Sequence, residues 1–320
     1  MKNSIKKLVL ALVALALVLS TGALSTVSAQ DSGETKRIGY VINNLNDTFQ
    51  TYILNAAEEA AVEAGYEFEV VNSEEDLIKQ QDHVNTLIQT GIDGLVVVPV
   101  DTSAMGPISD AAVAAGIPLV YINRNPYAGN EDQMPEGVYY VGSEEIQAGI
   151  MQGEHAAELL DGEGGVAILM GILGNEGAVA RTAGVEQVIA EHEGMTILGS
   201  ETGEWQRDQA LTITENWLSA YGDDLKAILA NNDEMALGAI QALQNTGRED
   251  VIVMGVDAIP DAIAAIEAGT MTATMFQDAV GQGAGAVDIL NALFNGEEVE
   301  EKITFIDFQL VNKENVADFK

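Results

Sequence analysis

The sequence predicts an α/β fold of two similar lobes, each a doubly wound parallel sheet covered by helices. Three observations carry that expectation. Apolar runs of strand length alternate with stretches of helical period along nearly the whole chain, which is the pattern of repeated βαβ units. The run at residues 92–100 is apolar but for Asp93, with Gly94 and Pro99 bounding its central Leu95-Val96-Val97-Val98, as in a strand buried on both faces. After a loop at 123–137, with two prolines and few apolar residues, the same rhythm begins again, so the chain reads as two sheets in succession.

Residues 37–43 form the first strand. Asn44-Leu45-Asn46-Asp47 then opens a helix whose apolar face is Phe49, Tyr52, Ile53, Ala56, Ala57 and Ala60. Gly65 ends it, and 66–71 are the second strand. A helix through Leu77, Gln81, Val84 and Ile88 leads to Gly91 and the buried strand at 92–100. The helix at 104–115 returns through Gly116 to a strand at 117–122, and 138–141 closes the first lobe. In the second half, a helix from Ser143 precedes strand 165–170, loop 171–177 and a helix around Arg181. Strand 195–200 and Trp205-Gln206-Arg207 come before the helix at 210–220. The stretch 226–237 is the clearest junction in the chain: an apolar strand ends in Asn231-Asn232-Asp233 and turns directly into a helix. Asn232 reads as a ligand contact and Asp233 as the helix N-cap. Strand 251–256 ends at Asp257, with Pro260 placed to start the next helix. Strand 271–276 ends at Gln277, and a Gly/Ala-rich helix to Phe294 precedes one last strand at 303–310.

The first 29 residues stand apart. Lys2, Lys6 and Lys7 precede an apolar run from Leu8 to Leu19 and a small-residue site Val27-Ser28-Ala29, the pattern of a cleaved secretory signal peptide, too short to span a bilayer. The chain has no cysteine, which excludes disulfides, thiol chemistry and a lipid anchor on cysteine. An exported, periplasmic protein is expected. Without the three leader lysines, 11 basic residues face 50 acidic ones, a net charge of −39. Nucleic acid and anionic membranes are excluded as partners by that charge, which fits either a high-salt habitat or a solubilising surface.

Four segments carry a family resemblance: Asn46-Asp47-Thr48-Phe49, Tyr139-Tyr140-Val141-Gly142-Ser143, Ala230-Asn231-Asn232-Asp233-Glu234-Met235-Ala236 and Gly255-Val256-Asp257-Ala258-Ile259-Pro260. Together and in this order they resemble the periplasmic sugar-binding proteins of ABC transporters, in the galactose/glucose-, ribose- and inositol-binding branch. The likeness covers essentially all of the chain after residue 29. It implies the type I periplasmic binding protein fold, whose two lobes are joined by a three-segment hinge. Here the crossings would fall near Gly142, Asp278 and Lys302. The lobes would be 30–142 with 278–302, and 143–277 with 303–320. The resemblance also implies ligand contacts from Asp47, Phe49, Asn123 and Arg124 in the first lobe and Asn175, Arg181, Trp205, Asn232, Asp257 and Gln277 in the second. Arg124 is similar to the ribose pattern and Asn123 to the galactose pattern, where a lysine would follow. Asn175 and Gly177 stand where the galactose type has histidine and aspartate, and Arg207-Asp208-Gln209-Ala210-Leu211 looks like inositol-binding relatives. The implied partners are a neutral monosaccharide or cyclic polyol and an ABC permease, with the protein itself a monomer. The alternative is a sensory receptor of the same fold serving a membrane kinase or chemoreceptor.

The residue types suit a ring of hydroxyls. Asp47 and Asp257 accept from hydroxyl pairs, Arg124 and Arg181 donate in a fixed fork, and Asn232 and Gln277 do both. Phe49 and Trp205 are candidate walls for the ring faces. The competing reading of Phe49 is a core residue of its helix, and that of Arg207 is a surface ion pair. No catalytic residue, cofactor or metal is expected. No Gly-Lys dipeptide is present for a P-loop, Gly162-Glu163-Gly164-Gly165 has no preceding strand for a dinucleotide fingerprint, and His83, His155 and His192 are scattered. The segment 161–165 is too short for a calcium loop.

Overall fold

The computed structural model describes residues 35–319; the expected leader at 1–29 lies outside the described residues. The first lobe is built on a six-stranded sheet in the order β11-β5-β4-β3-β1-β2, every pair parallel. Its strands are β1 (Arg37–Ile42), β2 (Glu67–Asn72), β3 (Gly94–Val97), β4 (Leu119–Ile122), β5 (Val138–Gly142) and β11 (Ile303–Phe305). Helices α1 (Thr48–Glu63), α2 (Leu77–Gln89) and α3 (Gly106–Ala115) connect β1 to β4 in turn, and a loop with one short 3-10 turn leads from β4 to β5. Both faces of the sheet are covered: Ile38, Tyr40, Ile42, Val96 and Val120 pack under α1, and Val41, Leu95, Val97, Leu119 and Tyr121 under α2 and α3.

The second lobe repeats the plan with β6 (Glu163–Met170), β7 (Gly194–Thr202), β8 (Leu225–Ala230), β9 (Ile252–Asp257), β10 (Ala273–Phe276) and β12 (Gln309–Asn312). Its order is β12-β10-β9-β8-β6-β7, parallel except for β12, which runs antiparallel to β10 at the edge. The helices are α4 (Glu145–Leu159), α5 (Glu176–Ala190), α6 (Arg207–Tyr221), α7 (Asp233–Thr246) and α8 (Pro260–Ala268). Helix α9 (Ala279–Phe294) follows β10 but packs against α1 and β4, back in the first lobe. No helix of the described residues is long and apolar enough to cross a membrane.

The sheets therefore exchange chain three times, at 142–145, 276–279 and 305–309. Here the sequence reading needs correction. The run 303–310 is not one strand, and 303–305 does not join the second lobe: Ile303–Phe305 pairs with Tyr140–Gly142 of β5, whereas Gln309–Asn312 pairs with β10. The third crossing lies just after β11 instead of near Lys302. The extended segment satisfies the edges of both sheets in turn, and its apolar alternation shifts phase at Phe305-Ile306, where the partner changes.

Candidate functional site

In both sheets the parallel strands point their carboxyl ends toward the gap between the lobes, where loops and helix N-termini collect polar groups. A cavity lies there. Asp47, Phe49, Asn123, Arg124, Asn175, Arg181, Trp205, Asn232, Asp257 and Gln277 all line it, joined by Gln50, Glu145, Glu176 and Gly177.

From the first lobe, Asp47 ends the β1–α1 loop and N-caps α1, accepting from the Gln50 N–H at 3.2 Å. Its carboxyl is raised by burial, against which the Arg124 charge works. Phe49 fills both of its expected roles, at 7 % exposure: it packs in the core beneath α1 and faces the cavity. Arg124 follows β4 and is fixed by donating Nη1 to the Pro99 carbonyl at 2.9 Å, with Asp47 at 3.9 Å and Glu75 at 3.6 Å. Asn123 has a left-handed backbone, φ 66°, and its side-chain amide is taken up by the protein. Oδ1 accepts from Gln50 Nε2 at 2.6 Å and Nδ2 donates to Gln282 Oε1 at 3.2 Å. Asn123 thus orients Gln50, whose Oε1 is left buried without a partner at the cavity wall.

In the second lobe Arg181 is the centre of the wall. Helices α4 and α5 approach so closely that a Cβ on Gly149 would lie 1.9 Å from the Arg181 carbonyl oxygen, and one on Gly184 would lie 2.4 Å from that of Ile146. This approach sets Arg181 beside Glu145 at the start of α4. Nε donates to Glu145 Oε2 at 2.6 Å, Nη1 to the Asn231 carbonyl at 2.6 Å, and Nη2 to Gln277 Oε1 at 3.3 Å. Gln277 in turn donates Nε2 to Glu145 Oε1 at 3.1 Å. Burial works against the Arg181 charge, but Glu145 and Asp257 outweigh it and hold the guanidinium above its ordinary value. Asp257 ends β9 with φ 120° and lies 3.9 Å from Arg181 Nη1. Burial, opposed by Arg181, pushes its carboxyl well above the usual range.

Trp205 also has a positive φ, 66°, and its ring lies where a Cβ on Gly171 would be, 2.1 Å from Cζ2. The Arg181 guanidinium stands 5.9 Å from the ring centroid, and the indole Nε1 is buried without a partner. Asn175 N-caps α5 by accepting from the Ala178 N–H at 3.4 Å.

The assignment around β8 needs revision. Asn232, not Asp233, N-caps α7, with Oδ1 accepting from the Met235 N–H at 3.1 Å and Nδ2 donating to the Trp205 carbonyl at 3.4 Å. Asp233 is turned into the lobe, accepting from the Ile259 N–H at 3.0 Å and the Thr274 hydroxyl at 2.6 Å. It braces the loop that presents Asp257. Arg207 faces outward, 2.7 Å from Glu234 and 3.0 Å from Asp261, and does not line the cavity.

Nothing local in the sequence singles out Glu145, Glu176 or Gln50 as site residues. Glu145 and Glu176 occupy the first residues of their helices, where acids are ordinary complements of the helix dipole, so nothing local marks them.

Two α/β lobes around a polar cavity define a small-solute binding protein. The chain belongs to the periplasmic binding protein domain family, whose pattern matches residues 38–298. It is 40 % identical over 304 residues to a Rhizobium meliloti protein named for rhizopine binding, spanning 93 % of this chain and 97 % of that one. It is 32 % identical over 301 residues to the ribose import binding protein of Salmonella typhimurium, covering 94 % and 98 % of the two chains. Among solved structures it is similar to an ABC transporter solute-binding protein from Bacillus halodurans C-125 with bound myo-inositol. That likeness has a TM-score of 0.83 and 39 % identity, covering 90 % of this chain and 99 % of the other.

Proposed function

We propose that this chain is the extracytoplasmic substrate-binding protein of an ABC importer, and that the cavity between its lobes takes a monosaccharide or cyclic polyol. The observation that carries the reading is the mixture of groups around the cavity. Carboxylates, guanidinium forks and amides from both lobes converge on one space, with Phe49 and Trp205 as its aromatic walls. Such a set matches a ring with hydroxyls at its rim and C–H faces above and below. The relatives named for ribose and the structure holding myo-inositol support the same class. Galactose or glucose, ribose and inositol form the shortlist. A phosphate is disfavoured, because Asp47 and Asp257 would repel it.

In this reading the protein is exported through its first 29 residues, works in the periplasm as a monomer, and hands its ligand to a membrane permease. The lobes close on the ligand about the three crossings. A thermal-shift panel of aldoses, pentoses and inositols tests it: at least one raises the melting temperature. Stabilisation by amino acids or inorganic anions alone would overturn it.

A further inference from the structure

Tyr140 lies in β5 just before the first crossing between the sheets, wholly buried and outside the cavity lining. Its hydroxyl donates to the Asn123 carbonyl at 2.9 Å, while the Ser143 carbonyl, in the crossing itself, stands at 3.5 Å. A phenol has one proton to give, and the shorter bond takes it. The ring tip fills the space over Gly142, where a Cβ would overlap the hydroxyl. On its other side the ring meets Phe305 edge-on, with centroids 6.1 Å apart, at the start of the third crossing. The Ile306 N–H then donates to the Gly142 carbonyl at 2.8 Å. One phenol therefore stands where two crossings and a cavity loop meet. Burial above all holds it well above its ordinary value, so it stays a neutral donor.

What the hydroxyl holds is a strained turn. Asn123 has φ 66°, a region that residues other than glycine keep only where their neighbours fix them. Each polar group of Asn123 is engaged. Its N–H donates to the Val141 carbonyl at 2.9 Å, its carbonyl accepts from Tyr140, Oδ1 accepts from Gln50 Nε2 and Nδ2 donates to Gln282 Oε1. Gln282 is wholly buried on α9, just past the second crossing, and like Tyr140 does not line the cavity. Two cavity groups depend on the turn: Gln50 through the amide bond, and Arg124 as the next residue in the chain. Tyr140 and Gln282 thus reach the ligand side of the first lobe only through Asn123.

Resting on the reading of the cleft as a polyol site, we propose that Tyr140 is a positioning residue for the ligand: from the hinge, its hydroxyl fixes the Asn123 turn that aims Gln50 and Arg124 into the cavity.

Calorimetric titration of the native protein with myo-inositol, ribose and galactose identifies a ring that binds, and the same ring is then titrated into Tyr140→Phe. That variant keeps the buried ring and its contact with Phe305 and loses only the hydroxyl. Affinity falls by roughly threefold or more. The loss appears as faster dissociation, read by stopped-flow tryptophan fluorescence with Trp205 at the cavity, because the aim of Gln50 and Arg124 matters only after encounter. Gln282→Leu, which removes the other buried hold on Asn123, moves affinity and dissociation in the same direction and stands in if Tyr140→Phe does not fold. Affinity within about threefold of native, whatever happens to the unliganded melting temperature, would overturn the proposal and reduce Tyr140 to a core residue while the polyol reading stands. A loss confined to the association rate would overturn it equally. If none of the three rings binds the native protein, the polyol reading itself fails.

Discussion

Arg181 Nε donates to Glu145 Oε2 at 2.6 Å, with the two side chains only 7 % and 2 % exposed. The same guanidinium holds the Asn231 carbonyl and Gln277 Oε1, so one residue ties α4, α5 and the ends of β8 and β10 into a single wall. A buried pair of this kind adds little over an apolar isostere, but breaking it strands a charge. Arg181→Ala is therefore expected to lower unliganded stability by about 3–5 kcal/mol, besides abolishing binding. Denaturant unfolding measures it. A loss below about 1 kcal/mol would show that water replaces the guanidinium at Glu145.

Much of this arrangement is legible in the sequence because strand ends in a parallel sheet can be read locally. Asn123 and Arg124 after an apolar run, or Asp257 just before a helix-starting proline, declare their position without any knowledge of the partner lobe. What escapes is whatever depends on a distant neighbour. Glu145 and Glu176 look like helix-dipole acids in a chain that has 50 acidic residues, and only the close α4–α5 approach converts them into cavity wall. Asn232 and Asp233 are both good caps by residue type. Asp233 turns inward because the Ile259 N–H and the Thr274 hydroxyl await it. In 303–310 the one local mark of the change of sheet is the phase shift of the apolar alternation at Phe305-Ile306, and the identity of each partner strand depends on the rest of the chain.

The buried acids set a pH dependence whose sign is opposite to the usual one. Burial raises Asp233 to about 7 from an ordinary 3.8, despite its bonds from Thr274 and Ile259, and Glu176 to about 8 from 4.5. Between those values the folded chain holds protons that the unfolded chain has released, so stability falls as pH rises. The unliganded melting temperature is expected to fall from about pH 5 to about pH 8, and Glu176→Gln to flatten the upper part of that slope. A melting temperature that climbs over the same interval would refute the assignment.

Thr48 makes a hydrogen bond across the cleft: its hydroxyl donates to Glu234 Oε1 at 3.0 Å while Arg207 Nε donates to Glu234 Oε2 at 2.7 Å. Thr48 belongs to the first lobe and Glu234 to the second, so the bond exists only with the lobes together. Ligand is expected to favour this closed arrangement and reduce the radius of gyration. Thr48→Val, which removes the donor, should weaken binding by roughly two- to tenfold through the closing equilibrium. Small-angle scattering that is unchanged at saturating ligand would remove the hinge from the mechanism.

Arg124, Trp205 and Arg207 separate ligand contacts from surface. Arg124 is 6 % exposed and anchored by Pro99, which leaves the rest of its fork beside Asp47 at the cavity. A charge-assisted hydrogen bond to a ligand there is worth about 1.5–3 kcal/mol, so Arg124→Ala should cost roughly ten- to a hundredfold in affinity. Trp205 offers a ring face and an unpartnered indole N–H, and Trp205→Ala should cost a similar factor. Its ring lies over Gly171 at the edge of the second lobe's core, so the unliganded melting temperature should drop far less than in Arg181→Ala. Arg207 is 39 % exposed and pairs with acids outside the cavity, so Arg207→Ala should leave affinity within a few-fold of the native value. Calorimetric titration and unliganded melting of the three variants read both quantities together. Full affinity in Arg124→Ala would reduce that arginine to a brace between Pro99 and Asp47, and a collapse of unliganded Trp205→Ala would assign the tryptophan to the core.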